Sequence, residues 1–372
     1  MVYLSKSKYT GLWQCPKIAW LRQYKPEVAT IDEMVQARFE AGNMVGDLAM
    51  GLFGNFVEVT TYNGEKLDLP KMIEKTVIEM EKGTENICEA SFSYNGLYCA
   101  VDILKKDGDG WAIYEVKSST KHQKDDGTYT DDKEVYIADI AYQKYVLSRC
   151  GLKVVGTFLV CINNEYVRQG DVDLQQLFNV TDISEAVDKE FVNVDTNVKV
   201  AKQVLEGNEP DTDLSMGCHA PYDCAFWQSC TKALPKPSVF NVNRLHFDKK
   251  LALHRSGRDS FESIVDYKLN RIQRMQVECT LDDRQSINKD GIQKFLDTLW
   301  YPMYYLDFES IRPIIPLYDG THPYQQLATQ YSLHIQNETG GELIHKEFLA
   351  PSVGNPLRPI AEKLCEEIPS DG

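Results

Sequence analysis

The sequence has no long apolar run. Its longest uncharged apolar stretch, from Val154 to Ile162, contains nine residues, whereas a helix that crosses a bilayer needs about 20. The first residues carry charges and do not form the apolar segment that secretory signals contain. No internal repeat and no low-complexity tract is apparent. We therefore expect a globular, cytoplasmic protein that has no membrane partner.

Positive charge is also scarce, because 40 Lys and Arg residues stand against 55 Asp and Glu residues, a net charge of −15. This balance disfavours a protein that binds nucleic acid through its whole surface. Basic residues are concentrated in two stretches, residues 1–26, which contain no acidic residue, and residues 244–274. Phosphate contact is one interpretation of both stretches, and a solvated helix face is the other.

Cysteines are too few for a disulfide-stabilised scaffold, with ten in 372 residues. In a reducing compartment we expect them to be free thiols or ligands. Three of them, Cys218, Cys224 and Cys230, recur every six residues in the segment GCHAPYDCAFWQSC. Gly217 and Pro221 are turn residues in this segment. The spacing predicts that the three thiols converge on one ion.

The apolar content, 43% hydrophobic and 10% aromatic, is sufficient for a real core. At about 150 residues per domain, the length predicts two to three domains. The spacing of apolar residues predicts helices at 7–24, 31–53, 134–149 and 183–206, and a mainly helical stretch at 240–297.

Turn residues indicate the strands. Asn95-Gly96 and the run Asp107 to Gly110 separate stretches of strand-forming residues, which predicts a three-stranded antiparallel meander from 87 to 119. A buried strand is expected at 154–161, and further strands from 301 and at 329–335. Helices and strands in this order indicate a mixed α/β fold.

The predicted meander brings two carboxylates and a lysine together. Glu115 and Lys117 lie two residues apart on one strand, so their side chains share a face. The hairpin that follows residue 104 would place Asp102 near Glu115. Two carboxylates suit Mg²⁺ or Mn²⁺, and a lysine beside the ion can orient water and neutralise charge on an attacked phosphate. The pattern predicts phosphodiester hydrolysis, and a surface hairpin with a Glu–Lys pair is the alternative.

Asp102, the run Glu115-Val116-Lys117 and Gln143 in the following helix resemble the signature of the RecB-like branch of the PD-(D/E)XK nucleases. The resemblance implies a restriction-endonuclease-like core with Asp102 and Glu115 as metal ligands. It also implies that Lys117 orients the attacking water and that Gln143 positions this water or a phosphate.

The run Leu4 to Ser7 and the run Gln14-Cys15-Pro16 resemble the opening of the CRISPR-associated RecB-like exonucleases and of the AddB-type nucleases. Those families hold a [4Fe-4S] cluster with one cysteine near the start and three after the core. The resemblance implies a helical iron–sulfur subdomain whose ligands are Cys15, Cys218, Cys224 and Cys230. Four thiolates also make a closed structural zinc site, for which His219 is a spare donor, so zinc is the alternative.

The sequence departs from the RecB-like pattern where a metal-binding histidine is expected in the second helix. It has Gly42 followed by Gly46 and Asp47 instead. Asp47 or Glu40 is a candidate replacement ligand, and an ordinary solvated helix residue is the alternative. The missing histidine motivates a second hypothesis, in which the domain has lost catalysis and serves as a nucleic-acid-binding or scaffold module.

A second pair of acidic residues, Asp307 and Glu309, lies on one face of the predicted strand from 301. It resembles the first motif of DnaQ-like exonucleases of the DEDD class, where Asp-x-Glu on the first strand of an RNase H-like sheet binds two metal ions. That class needs two further aspartates, and no convincing partner carboxylate follows. We therefore expect an incomplete DnaQ-like segment, truncated or degenerate; two incidental acids on a strand are the alternative.

These motifs predict three domains: a RecB-like nuclease domain with its cysteine cluster at 1–236, a basic helical connector at 237–298, and the incomplete DnaQ-like segment at 299–372. The combination resembles a bacterial family of uncharacterised proteins. The expected function is a Mg²⁺- or Mn²⁺-dependent deoxyribonuclease, an exonuclease on single-stranded or end-frayed DNA. The basic N-terminal segment is expected to follow the DNA strand. No motif indicates a protein partner.

Overall fold

The computed structural model describes residues 4–30, 33–120 and 131–369. Contacts between residues divide the chain into two compact units. Unit 1 consists of Met1–Ile162 and Phe178–Arg284, and unit 2 consists of Asn163–Leu177 and Gln285–Gly372. The boundary after Arg284 lies inside the range predicted as a connector, and the division into three domains stays a prediction.

The α-helices cover most of the predicted helical ranges, and none within the described residues is long and apolar enough to cross a membrane. They are α1 (Lys6–Gln14), α2 (Pro16–Tyr24), α3 (Glu33–Ala49), α4 (Leu69–Lys82), α5 (Asp131–Arg149), α6 (Leu174–Leu177), α7 (Ser184–Glu206), α8 (Trp227–Cys230), α9 (Phe247–Arg255), α10 (Arg271–Leu281), α11 (Lys289–Leu296) and α12 (Leu357–Glu367).

The first predicted helix is in fact two helices. The expected helix at 7–24 is interrupted between Gln14 and Pro16. Cys15 has an extended backbone there, with φ −165° and ψ 129°, because a proline ring disfavours helical backbone in the residue before it. The prediction of one continuous helix is therefore wrong, and the break places the Cys15 thiol at the junction of α1 and α2.

The strands of the described residues are β1 (Leu4–Ser5), β2 (Val57–Glu58), β3 (Tyr62–Asn63), β4 (Lys66–Leu67), β5 (Asn86–Tyr94), β6 (Leu97–Asp107), β7 (Gly110–Lys117), β8 (Val154–Ile162), β9 (Phe178–Asp182), β10 (Met303–Ile311), β11 (Leu327–Gln336) and β12 (Leu343–Leu349). They form a large mixed sheet in unit 1, a small hairpin of β3 and β4, and a three-stranded sheet in unit 2.

The mixed sheet of unit 1 contains the predicted meander. β5, β6 and β7 are antiparallel, with Ala90 opposite Val101 and Ile103 opposite Tyr114. β8 runs parallel to β7, and β9 runs antiparallel to β8. β2 pairs in parallel with β5, and β1 pairs in parallel with the beginning of β6. The meander and the mixed α/β class are confirmed.

Helix α5 lies between this sheet and α7. Its residues Ile140, Tyr142 and Leu147 are buried in the same apolar core as Leu104 and Ile113 of the sheet. Each buried leucine or isoleucine side chain contributes about 1.5–3 kcal/mol. This packing fixes the helix on the sheet, and with it the polar side chains that α5 directs toward β7.

Residues 237–284 add a small apolar core of their own to unit 1. Val239, Phe261, Ile264 and Val277 are buried together there. Long stretches without α-helix separate α9, α10 and α11. The expectation of a mainly helical stretch at 240–297 is therefore met only in part.

Unit 2 is built on the antiparallel sheet β10–β11–β12. Helix α12 packs against β11, and the buried Tyr331 hydroxyl donates a hydrogen bond to Glu367 Oε2 at 2.7 Å. The Arg168 guanidinium donates to the carbonyl oxygen of Leu317 at 2.9 Å, which ties the segment Asn163–Leu177 to the loop between β10 and β11. The strands predicted in this region are confirmed.

Candidate functional site

The central feature of unit 1 is an opening between β6 and β7. β5 occupies one edge of β6, so β1 and β7 share the other edge, at its beginning and at its end. The ladder between β6 and β7 stops at the pair Ile103 and Tyr114. Just beyond it, Asp102 Oδ2 accepts a hydrogen bond from Val116 N at 2.7 Å. The Asp102 carboxylate therefore stands where the two strands separate.

Strand β7 supplies a buried carboxylate and an ammonium group. Glu115 is 0% exposed, and Lys117 Nζ forms an ion pair with it. Lys117 Nζ also lies 3.3 Å from Asp139 Oδ2. Glu115 and Lys117 share a face of β7, as the alternation of side chains along a strand predicts.

Helix α5 contributes a buried amide and a third carboxylate. Gln143 Nε2 donates to Glu115 Oε2 at 2.7 Å and to Asp139 Oδ1 at 3.0 Å. Asp139 and Gln143 lie four residues apart, so they are neighbours on one face of the helix. Gln143 Oε1 is buried and has no hydrogen-bond partner within the described residues, which leaves an acceptor for a water or a substrate group.

A second ammonium group enters from the first helix. Lys6 Nζ lies 3.0 Å from Glu115 Oε1, 3.1 Å from Glu115 Oε2 and 3.5 Å from Asp102 Oδ1. Lys6 is the first residue of α1 and directly follows β1, so the pairing of β1 with β6 brings it to the opening. We define the carboxylate cluster as Lys6, Asp102, Glu115, Lys117, Asp139 and Gln143.

The structure thus brings together the four residues that the sequence predicts as catalytic, and it adds Lys6 and Asp139. Asp139 lies four residues before Gln143, and this helical spacing was a usable signal that Asp139 belongs to the site. No local signal identifies Lys6, because it lies 96 residues from Asp102 in the chain.

The charges of the cluster shift the pKa values of its carboxyl groups in opposite directions. Burial alone would raise the pKa of Glu115, but the charges of Lys117 and Lys6 hold this pKa well below its usual range. Burial and the Glu115 charge raise the pKa of Asp102, and the same two causes raise the pKa of Asp139 to about 6. Both lysines stay protonated, because the neighbouring carboxylates raise the pKa of each despite its burial.

A fourth carboxyl group lies on β5, next to the carboxylate cluster. The register is constant from Cys88 opposite Ile103 to Ala90 opposite Val101, so Glu89 falls opposite Asp102 of β6. The Glu89 backbone has φ +56°, a left-handed conformation that is costly for a residue other than glycine. Burial and then the Asp102 charge raise the pKa of Glu89 to about 7. The turn at Asn95-Gly96 sets this register, so it was a usable signal for Glu89.

Helix α3 carries the predicted substitutes for the missing histidine. Asp47 is exposed on this helix, and no hydrogen bond or ion pair within residues 4–30, 33–120 and 131–369 joins it to the carboxylate cluster. Glu40 accepts a hydrogen bond from Gln36 at 3.1 Å on the same helix. A ligand role for either residue stays a prediction.

The basic N-terminal segment is engaged in internal contacts. Lys17 and Lys25 both pair with Glu209, at 3.4 Å and 2.7 Å. Arg22 donates to the carbonyl oxygen of Ser7 at 2.7 Å. Basic side chains that were expected to contact DNA thus make contacts within the protein. A role of the segment in following the DNA strand stays a prediction.

The predicted cysteine site lies at the other end of α1. Cys15 follows its last residue, and Gln14 Nε2 donates to the carbonyl oxygens of Gly217 and Tyr222 at 2.7 Å and 2.6 Å. A Cβ atom at Gly217 would collide with the Gln14 carbonyl oxygen, so only glycine allows this close approach. The cysteine segment is therefore joined directly to the α1–α2 junction.

The four predicted thiols influence one another electrostatically. Burial raises the pKa of Cys218, and the neighbouring Cys15 and Cys230 raise it further. Burial raises the pKa of Cys224 to about 11, with contributions from the other three cysteines. Thiols whose charges repel one another suit a thiophilic metal or cluster in their chemistry, because binding would relieve this repulsion. His219 instead binds Asp223 Oδ1 at 2.6 Å.

As the side chains stand, no three His, Cys, Asp or Glu residues in the described part of the chain are arranged to hold a metal ion. In the carboxylate cluster, the ammonium groups of Lys6 and Lys117 lie against the oxygens of Glu115. The donor chemistry still fits a hard divalent cation there, because the carboxylates of Asp102 and Glu115 meet the same ammonium group.

The second predicted metal pair lies on β10 in unit 2. Asp307 and Glu309 are opposite Ser332 and Gln330 of β11. Both acids are exposed, and no ion pair of the described residues involves them. The strand prediction for this motif is confirmed, and its role in metal binding stays a prediction.

Comparison with known proteins adds one finding. A family described as a domain of unknown function (DUF2779) matches residues 304–372, the part that contains β10, β11, β12 and α12. No curated protein matches the chain. Fold and site define a mixed α/β protein with a buried cluster of carboxylates and lysines in unit 1.

Proposed function

We propose that the chain is a metal-dependent nuclease of the RecB-like PD-(D/E)XK type that hydrolyses DNA phosphodiesters, an exonuclease on single-stranded or frayed DNA. The observation that supports this proposal is the convergence of Asp102, Glu115, Lys117 and Gln143 from β6, β7 and α5. Burial of charged groups is costly. A fold that brings several of them together where β6 and β7 separate therefore fits a functional centre.

The residues divide the work as follows. Asp102 and Glu115 would hold Mg²⁺ or Mn²⁺, which when bound supplies a Lewis acid and an acidified water. Lys117 stays charged, so it stabilises negative charge that develops on the phosphate and orients the attacking water. Gln143 Oε1, which has no hydrogen-bond partner in the part of the chain that the structure describes, would accept a hydrogen bond from this water or from a protonated substrate group.

A test compares cleavage of end-labelled single-stranded DNA with Mn²⁺ or Mg²⁺ by the parent and by Lys117→Ala, both prepared anaerobically. Lys153→Ala is the matched control, because Lys153 is an exposed lysine that pairs with Asp109. We expect the first variant to lose cleavage and the control to retain it. Equal rates for the parent and Lys117→Ala would remove the chemistry from unit 1.

For the cysteine site, we propose a [4Fe-4S] cluster held by Cys15, Cys218, Cys224 and Cys230, with zinc as the alternative. The anaerobic parent should absorb broadly near 400 nm, a band that iron–sulfur proteins generally show. Cys224→Ser should lose the band, whereas Cys150→Ser should keep it, because Cys150 is an exposed thiol outside this set. Zinc without such absorption would decide for the alternative.

One observation favours a second candidate function, a catalytically inactive DNA-binding or scaffold module. Lys6 and Lys117 already neutralise Glu115 without a metal ion, as a purely structural charge cluster would require. Tight DNA binding without cleavage under any divalent metal would select this candidate.

For residues 299–372, we propose the opening part of a DnaQ-like, RNase H-like domain. The three antiparallel strands with Asp307 and Glu309 on the first support this assignment. Mn²⁺ binding that is lost in Asp307→Asn and retained in Asp102→Asn would test the second metal pair.

A further inference from the structure

We infer that Lys6 is an internal competitor of the divalent cation: its ammonium group bridges Asp102 and Glu115 and has to leave them before a metal ion binds there. This inference rests on the proposed function, which assigns the two carboxylates as metal ligands. It adds a regulator of metal occupancy to that site.

The contacts of Lys6 are those of a cation held by two ligands. Its Nζ atom lies within 3.0–3.5 Å of three oxygens, two of Glu115 and one of Asp102. Lys117, in contrast, pairs with Glu115 and Asp139. Only Lys6 forms ion pairs with both predicted metal ligands within the described residues, so it stands where a metal ion would need to contact them.

The backbone holds Lys6 firmly in this place. Lys6 follows β1, which pairs in parallel with β6, and the Tyr142 hydroxyl donates a hydrogen bond to the Leu4 carbonyl oxygen. Tyr9 of α1 stacks on the Tyr142 ring at a centroid distance of 4.6 Å. The side chain therefore reaches the carboxylates from an anchored helix, and a metal ion displaces only the side chain.

Charge repulsion prevents the Lys6 ammonium group and a divalent cation from binding the same carboxylates together. A divalent cation and an ammonium group that share the same carboxylate oxygens would lie within a few ångströms of each other, and like charges at such a distance repel strongly in a partly buried site. Removal of the Lys6 charge should therefore tighten metal binding. A residue with only a structural role would have the opposite effect, since its loss would loosen the ligands.

The experiment is calorimetric titration of the full chain with Mn²⁺ alone. Lys6→Met should bind Mn²⁺ at least tenfold more tightly than the parent, and Lys6→Gln should do the same. Lys8→Met is the matched control, because Lys8 lies on the same helix and donates a hydrogen bond to Gln23 Oε1; its affinity should equal that of the parent. Asp102→Asn identifies the titrated site by losing it.

The outcomes separate the two proposals. If Mn²⁺ binds in an Asp102-dependent manner and both Lys6 variants bind it equally well or more weakly than the parent, the inference about Lys6 is wrong and the proposed function stands. If no variant shows Asp102-dependent Mn²⁺ binding, both are overturned. Two Lys6 variants of different shape guard against a folding defect in either one.

Discussion

Unit 1 and unit 2 each carry a pair of polar side chains two residues apart on a strand, and the pairs differ in their surroundings. Glu115 and Lys117 on β7 are covered by α5 and contact three further charged or amide groups, those of Lys6, Asp139 and Gln143. Asp307 and Glu309 on β10 are exposed. The same spacing in sequence thus gives a buried, interlocked cluster in one unit and a solvated pair in the other.

The difference shows what burial adds to a motif. Exposed ionic groups contribute little to stability, about 0–1 kcal/mol for a pair, and need no partner. Buried ones require compensation, and Glu115 obtains it from two ammonium groups and an amide. We therefore expect substitutions in the cluster of unit 1 to cost more stability than substitutions of the pair in unit 2.

The largest expected effect concerns activity. Asp102→Asn should lower the rate of DNA cleavage by about a thousandfold or more, because under the proposed function it removes a ligand of the metal ion that activates the water. Asp307→Asn should change the same rate by less than twofold. The measurement is degradation of end-labelled single-stranded DNA with Mn²⁺. The reverse result would assign the chemistry to unit 2.

The next effect concerns stability. Glu115→Gln should lower the free energy of unfolding by about 3 kcal/mol, because it leaves two partly buried ammonium groups without their main counter-charge. Glu309→Gln should change it by no more than about 0.5 kcal/mol, as is usual for exposed positions. Urea denaturation of both variants measures the difference. Equal stability would mean that burial does not distinguish the two pairs.

The smallest effect is a dependence on pH. Because the pKa of Asp139 is raised to about 6, its contribution to stability is fully present below its unfolded pKa of about 3.9 and is lost as the pH rises through the folded value. Asp139→Asn should therefore remove a decline in melting temperature between about pH 4 and pH 6. Asp188→Asn, which changes an exposed acid paired with Lys144, should leave this decline in place; if it too abolishes the decline, Asp139 is not its source.

Local signals in the sequence predicted much of unit 1. Asn95-Gly96 and Asp107 to Gly110 marked both turns of the meander, and the strand alternation placed Glu115 and Lys117 on one face. The same reasoning missed the helix break at Cys15, although the proline that follows it is a signal for such a break. Turn chemistry and side-chain period are properties of a few neighbouring residues, so sequence alone reveals them.

The parts of the site that were not predicted from the sequence depend on contacts between distant residues. Lys6 reaches Asp102 only because β1 pairs with β6, and two residues are too few for a recognisable strand pattern. Glu89 lies opposite Asp102 across the β5–β6 hairpin in a left-handed backbone conformation that no glycine marks. The exposure of Asp307 likewise depends on what packs against β10, which spacing along the strand cannot reveal.

Helix α1 has a property that neither of its ends shows alone. It is an unbroken helix of nine residues, about 13 Å long, with Lys6 in the carboxylate cluster at one end and Cys15 following the other. The carboxylate cluster and the predicted cysteine site are therefore joined by one continuous element. We expect a substitution that displaces the Cys15 end of α1 to change the position of the Lys6 ammonium group as well.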